Sequence, residues 1–303
     1  KKPTKFAGSA YVSLMEQGLE LEGSSKDGKV TWLAGVRNKD NRNLLSNQPT
    51  QGAYIPSSSD AQTYITYQVS KKWLLELTGI YSTSKFTFFP ESVKKTSSVF
   101  SPLYTANIGL DIYFEGQEKD QYNTSLIGAS IVNTPTDKLK LKWMVSRFKD
   151  NEKENFDIAA AYVFGERDFD NSSSSFGQIV NPLGAGAYQD YARNELDIEV
   201  WNASLKASYI KGKHYFQFGN TIEQTKINDQ LNQWEYKDSA GYSLPYNPSS
   251  LALFSSHNNT IDLTVQKYFG YVQDNIHFSK SKNDVTLQVG LRYNYNNLNN
   301  EFL

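Results

Sequence analysis

Between residues 285 and 295 the odd positions are Val285, Leu287, Val289, Leu291, Tyr293 and Tyr295, and the even positions are Thr286, Gln288, Gly290, Arg292 and Asn294. A period of two with one apolar and one polar face specifies a half-buried β-strand, because successive side chains of an extended chain point to opposite sides. Residues 260–278 form a second long extended run, joined to the first by the polar turn Lys280-Ser281-Lys282-Asn283-Asp284. The repeating unit is therefore a long hairpin.

The same unit recurs along the chain. Residues 8–23 read as extended, with a phase slip that predicts a bulge near Glu16 to Gly18. Asp27-Gly28 is a strong hairpin-turn signal, and residues 29–37 return with Val30, Trp32, Ala34 and Val36 on one face. Residues 61–69 and 73–81 make a second hairpin across Ser70-Lys71-Lys72. Residues 122–132 and 139–148 make a third across a turn that holds Pro135, a residue unable to donate to a ladder. A fourth joins residues 195–209, whose apolar phase shift again predicts a bulge, to residues 214–224 through Ile210-Lys211-Gly212-Lys213. Between these hairpins lie stretches without apolar alternation, at residues 39–60, 89–114, 149–193 and 230–257, which read as long loops.

About ten strands with short turns and long loops in strict alternation is the rhythm of an outer-membrane β-barrel. Composition agrees. The chain has 20 Tyr, 17 Phe and 5 Trp but a mean hydropathy of −0.57, as expected where half of each strand faces water. No run of about 18 apolar residues is present, which excludes a transmembrane helix and leaves a barrel open. The formal net charge of −1 gives no electrostatic footprint for nucleic acid, so no nucleic acid is expected as a partner. The absence of Cys excludes disulfides and thiolate metal sites. The alternatives are an outer-membrane adhesin or barrel enzyme, or a soluble extracellular carbohydrate-binding β-protein.

Tyr268-Phe269-Gly270-Tyr271-Val272-Gln273-Asp274, followed past the turn by Leu287-Gln288-Val289-Gly290-Leu291-Arg292-Tyr293, resembles TonB-dependent outer-membrane receptors. Shorter segments add to this: Leu33-Ala34-Gly35-Val36-Arg37, Phe88-Phe89-Pro90-Glu91-Ser92, Tyr113-Phe114-Glu115-Gly116-Gln117-Glu118 and Asp238-Ser239-Ala240-Gly241-Tyr242. The resemblance implies a barrel of about 22 strands with an N-terminal plug. It also implies import of a scarce nutrient driven by TonB, and partners that include outer-membrane lipid, an extracellular ligand and a surface lipoprotein. No plug, TonB-contacting segment or closing aromatic strand is recognisable. Residues 1–303 therefore read as a single partial barrel: an all-β antiparallel up-and-down meander forming an open, curved sheet. Val285, Leu287, Val289 and Leu291 should face lipid on its convex side, and Thr286, Gln288 and Arg292 the lumen.

Residues that carry chemistry are sparse. His214, His257 and His277 have no metal-ligand spacing, and no catalytic dyad or cofactor motif is found. Asp168-Phe169-Asp170-Asn171 resembles a calcium loop only faintly, lacking the Gly and terminal Glu, and reads as a solvated loop. Asp150, Glu152, Glu154 and Asp157, interleaved with Lys149 and Lys153, read as a polar loop. The expected ligand contacts are Trp234, Tyr236, Tyr242 and Tyr246, aromatics set among amides in an outer loop, where they can stack on and hydrogen-bond a ligand.

Overall fold

The computed structural model describes residues 2–42, 52–101, 104–239, 251–280, 283–299 and 301–302. Thirteen strands form one antiparallel sheet: β1 (Ala7–Val12), β2 (Glu16–Ser24), β3 (Val30–Asp40), β4 (Gly52–Ser70), β5 (Trp73–Pro90), β6 (Val93–Ser101), β7 (Tyr104–Thr136), β8 (Leu139–Arg167), β9 (Ile179–Lys211), β10 (His214–Ser239), β11 (Ala252–Lys280), β12 (Asn283–Asn296) and β13 (Glu301–Phe302). Each strand pairs with its sequence neighbours, except that β5 passes β6 to pair with β7, on whose far end β6 folds back. The sheet is open, and every element named above for the described residues is a strand. The expected antiparallel meander is what is found.

The short turns sit where the sequence places them. Gly28 and Gly212 have φ of 67° and 61°, the left-handed conformation a tight hairpin demands and a side chain resists. In the first turn Gly28 N–H donates to Ser25 O at 2.9 Å.

Two features differ from expectation. The phase slip near Glu16 to Gly18 is a hairpin, not a bulge: the Ser13 hydroxyl accepts hydrogen bonds from the Met15 and Glu16 amides, turning β1 into β2. The shift along residues 195–209 involves no bulge either, since β9 keeps one register against both β8 and β10 there. Its apolar residues change face instead. Leu196, Ile198 and Val200 lie on one side of the sheet, and Trp201, Ala203, Leu205 and Tyr209 on the other.

The long loops are also mostly strand. β7 and β9 each run 33 residues, and the unpaired tip between β8 and β9 is reduced to residues 168–178. The strands β7 to β11 thus have a lower part near their short turns and a tall upper extension. Extended residues facing water on both sides need no apolar alternation, which is why these extensions lack the strand pattern.

Following register from strand to strand puts one set of residues on a common face, called outer here. In the lower part it carries Leu19 and Leu21 (β2), Trp32 and Val36 (β3), Ile65 and Tyr67 (β4), Trp73 to Tyr81 at alternate positions (β5), and Ile127 and Ile131 (β7). It continues with Leu141, Trp143 and Val145 (β8), Trp201 and Leu205 (β9), Phe216 and Phe218 (β10), Val272 and Ile276 (β11), and Val285 to Leu291 (β12). From Trp73 to Tyr81 this belt spans eight residue steps, about 26 Å along the strand and about 20 Å in height at a ~40° tilt.

Among the described residues no second sheet covers the belt. Leu287 is 49 % and Leu291 78 % exposed. Among the described residues only Val132, Ala160, Ala192 and Val265 are both apolar and buried, so the sheet has no sandwich core.

Aromatic rings and ion pairs mark the belt's margins. Trp73 and Trp143 stack at 6.4 Å beside the short turns, and Tyr268 lies 6.1 Å from Tyr295 at the upper margin. Arg147 lies over the Trp201 ring and donates to Glu199 at 2.6 Å. Above it on the outer face, Lys149 pairs with Asp197 at 3.8 Å and Lys153 with Glu195 at 3.1 Å. The outer surface of β8 and β9 therefore changes within one two-residue repeat, Val145 to Arg147 and Trp201 to Glu199, from apolar to a ladder of cross-strand ion pairs.

Candidate functional site

The opposite, inner face is polar beside the belt. Glu76 on β5 accepts from Tyr64 (β4, 2.8 Å), Ser130 (β7, 2.5 Å) and Lys142 (β8, 2.6 Å), linking four strands. On β10 and β11, Gln273 donates to Gln217 and Asn275, each at 3.1 Å, and Asn275 donates to Gln217 at 3.2 Å. Gln288 and Arg292 line the same groove, on the side expected of them.

Higher up, the inner face becomes acidic. Glu118 and Asp120 on β7 and Asp150, Glu152 and Glu154 on β8 all point to this side. Thr124 stands opposite Asp150, Tyr122 opposite Glu152 and Asp120 opposite Glu154. The run Lys149-Asp150-Asn151-Glu152-Lys153-Glu154, nearly neutral in sequence, is sorted by the pleat, with lysines outward into the ion-pair ladder and acids inward. The polar-loop reading of these residues is corrected accordingly: they are strand, and the interleaving of charges separates them onto two faces. A strict two-residue period of charge was the signal that could have revealed this.

No cation faces the acids among the described residues. The inward neighbours at this level are Ser82, Ser84, Phe86 and Phe88 on β5, Ile198, Leu196 and Asn194 on β9, and Ile227, Asp229 and Leu231 on β10. The partners found are neutral: Thr124 donates to Asp150 at 2.6 Å, and Asn194 to Glu154 at 2.8 Å. Asp120 is 8 % exposed, and its Oδ1 is shut off from solvent with no hydrogen-bond partner. Burial, then the charges of Asp120 and Glu154, push the Glu118 carboxyl up. Burial and Glu154 do the same to Asp120, and burial and Asp150 to Glu152.

Of the four expected ligand contacts, Tyr242 and Tyr246 lie outside the described residues. Trp234 and Tyr236 stand on β10, not in a loop, and two residues apart they share a face. Register places that face outward, above the belt, where Tyr236 meets Tyr191 edge-on at 6.1 Å and the pair joins Gln189 and Leu251 around a shallow hollow. They are thus on the side of the sheet away from the acidic strip.

The histidines do not converge. His214 bonds Asp274 at 2.6 Å on the outer face, His277 bonds Thr286 at 3.1 Å, and His257 stands opposite Gln233. Asp168 and Asp170 are satisfied by their own tip: Ser175 donates to Asp168 and Ser172 donates to Asp170; the Ser173 and Ser175 hydroxyls hold the Asp168 carboxyl, and the Ser172 hydroxyl the Asp170 carboxyl, below the usual range. Among the described residues no group of His, Asp and Glu is arranged to hold a metal ion. Compared with known proteins, the chain matches no family model, no curated protein and no solved structure.

Proposed function

We propose that this chain is wall of an outer-membrane β-barrel of the TonB-dependent receptor type, through which a nutrient captured outside the cell is imported. The observation that carries the reading is the outer face. An apolar belt about 20 Å tall, interrupted on β10 and β11 by Asn220 and the His214–Asp274 pair, edged by aromatic rings and ending on β8 and β9 in cross-strand ion pairs, stabilises a sheet in lipid and exposes it to self-association in water. The inner face opposite the belt is polar, as a hydrated passage requires.

The choice of family rests on β11 and β12. Tyr271, Val272 and Gln273 stand directly opposite Arg292, Leu291 and Gly290, so the two segments that resemble these receptors are cross-strand neighbours. Binding and passage, rather than bond making, fits a wall whose described histidines are scattered.

Because the chain has no Cys, single cysteines give an unambiguous test. In cells carrying the intact gene, Leu205→Cys should resist a water-soluble maleimide and react with a lipid-soluble one, whereas Asn151→Cys should be labelled on whole cells. Equal aqueous labelling of both, with the protein in the soluble fraction, refutes the membrane reading. If deletion of TonB leaves unchanged the uptake that this gene supports, the family assignment fails while the barrel stands.

A further inference from the structure

We propose that the acidic strip on the inner wall, Glu118, Asp120, Asp150, Glu152 and Glu154, binds an extended organic oligocation, so that the ligand taken up is recognised through two or more amino or guanidinium groups. This deepens the import reading above and rests on it.

The first support is an imbalance. Five carboxylates occupy adjacent positions on two strands, with no Lys or Arg among the described inward neighbours and only neutral donors as partners. Asp120 and Glu154 stand directly opposite each other, and like charges so placed are destabilising, which a cation from elsewhere would relieve. The chain has cations within one residue of the strip, yet the pleat directs Lys119, Lys149 and Lys153 to the other face, where the latter two are committed to Asp197 and Glu195.

The second support is Asp120. A buried carboxylate oxygen without a donor is costly, and in an assembled site such an atom has a partner. Asp120 Oδ1 is that atom, and it lies within the strip, opposite Glu154.

The shape of the strip selects the ligand. Carboxylates two residues apart on one face are roughly 7 Å apart along the strand, and the two strands lie about 5 Å apart. The five carboxylates therefore form one staggered row that crosses from β7 to β8 at the Asp120–Glu154 rung, suited to a linear chain of spaced cationic groups rather than to a compact ion. Phe86, opposite Asp120, and Phe156, opposite Glu118, supply ring faces that attract desolvated cations.

The test is calorimetric titration of the full-length protein in lipid nanodiscs at pH 7.5 with two probes, spermidine and trilysine, and with methylamine as the single-charge control. Saturable binding of either probe, but not of methylamine, is the expected result. Tighter binding of spermidine points to a free oligoamine as the natural ligand form, and tighter binding of trilysine to a basic peptide. Asp120→Asn combined with Glu152→Gln should weaken binding by at least about tenfold. Glu152→Lys, which tethers a cation inside the strip, should abolish it. Glu195→Gln on the outer face should leave it unchanged. Failure of the wild type to bind either probe, or equal weakening by Glu195→Gln, overturns the proposal. Cysteine labelling at residues 205 and 151 reports separately whether the barrel reading has failed.

Discussion

Lys142 Nζ donates to Glu76 Oε2 at 2.6 Å across the intervening strand β7, so two strands that share no ladder are tied through their inner side chains. Glu76 is mostly buried, Lys142 is about one-third exposed, and Ser130 and Tyr64 complete the carboxylate's shell. Removing one partner leaves the other half-buried and unpaired. Glu76→Gln should therefore cost about 2 kcal/mol, while Glu76→Gln with Lys142→Met should cost less than the sum of the single changes. A double-mutant cycle on the temperature at which the folded band is lost in gel electrophoresis measures this, and strict additivity would show that the contact contributes nothing.

The belt makes a depth-dependent prediction. Leu205 lies at mid-belt on β9, and Leu205→Arg should cost about 2 to 4 kcal/mol in a bilayer and reduce the amount of folded protein. Gln121→Arg, on the same face but above the belt, should be near neutral. Quantifying the folded fraction of each variant in outer-membrane preparations separates the two. Equal tolerance would mean that lipid does not contact this face.

The acidic strip predicts how stability varies with pH. Because Glu118, Asp120 and Glu152 have their carboxyls raised above the ordinary values of 4.5, 3.8 and 4.5, the folded chain holds their protons more tightly than the unfolded chain does. Their contribution is fully present below those ordinary values and is lost as pH rises through the raised ones. Without added polycation, stability should fall as pH climbs from about 4. Asp120→Asn with Glu118→Gln should flatten that decline. Thermal midpoints of both proteins across pH 3 to 8 check it, and parallel profiles would sink it.

Legibility in the sequence follows the solvent on each face. Where one face is apolar and the other polar, as at Val285 to Leu291 or Trp73 to Tyr81, the alternation identified strand, facing and neighbours. Above the belt both faces are polar or mixed, so β8 from Lys149 onward and β9 before Glu195 resemble loop although their shared ladder keeps one register from Lys149 to Phe164. The apolar set of β9 changes face between Val200 and Trp201, which in sequence looks the same as an inserted residue. The acidic strip was obscured for a related reason: charge averaged along residues 149–154 nearly cancels, and only the two-residue period separates it. Trp234 and Tyr236 were singled out by composition alone, which says nothing about the side of the sheet they occupy.

The last prediction concerns the tip between β8 and β9. Arg167 is 5 % exposed and pairs with Asp111 on β7; its guanidinium also donates to Gly177 O at 2.7 Å and to Lys95 O on β6 at 3.4 Å. One planar fork therefore joins the top of the main hairpin, the folded-back β6 and the tip. Lysine, with a point charge on a flexible stem, cannot reproduce three divergent contacts. Arg167→Lys should leave Asp111 poorly satisfied and loosen residues 168–178, where Asp168 N–H to Gln178 O (2.9 Å) and Gly177 N–H to Asp168 O (2.7 Å) close the turn. The effect should stay local, because the belt strands have their own ladders below. Hydrogen exchange should be faster at the Asp168 and Gly177 amides by at least about tenfold and unchanged at Leu205 and Val145. Unchanged exchange at the tip would show that the clasp is not what orders it.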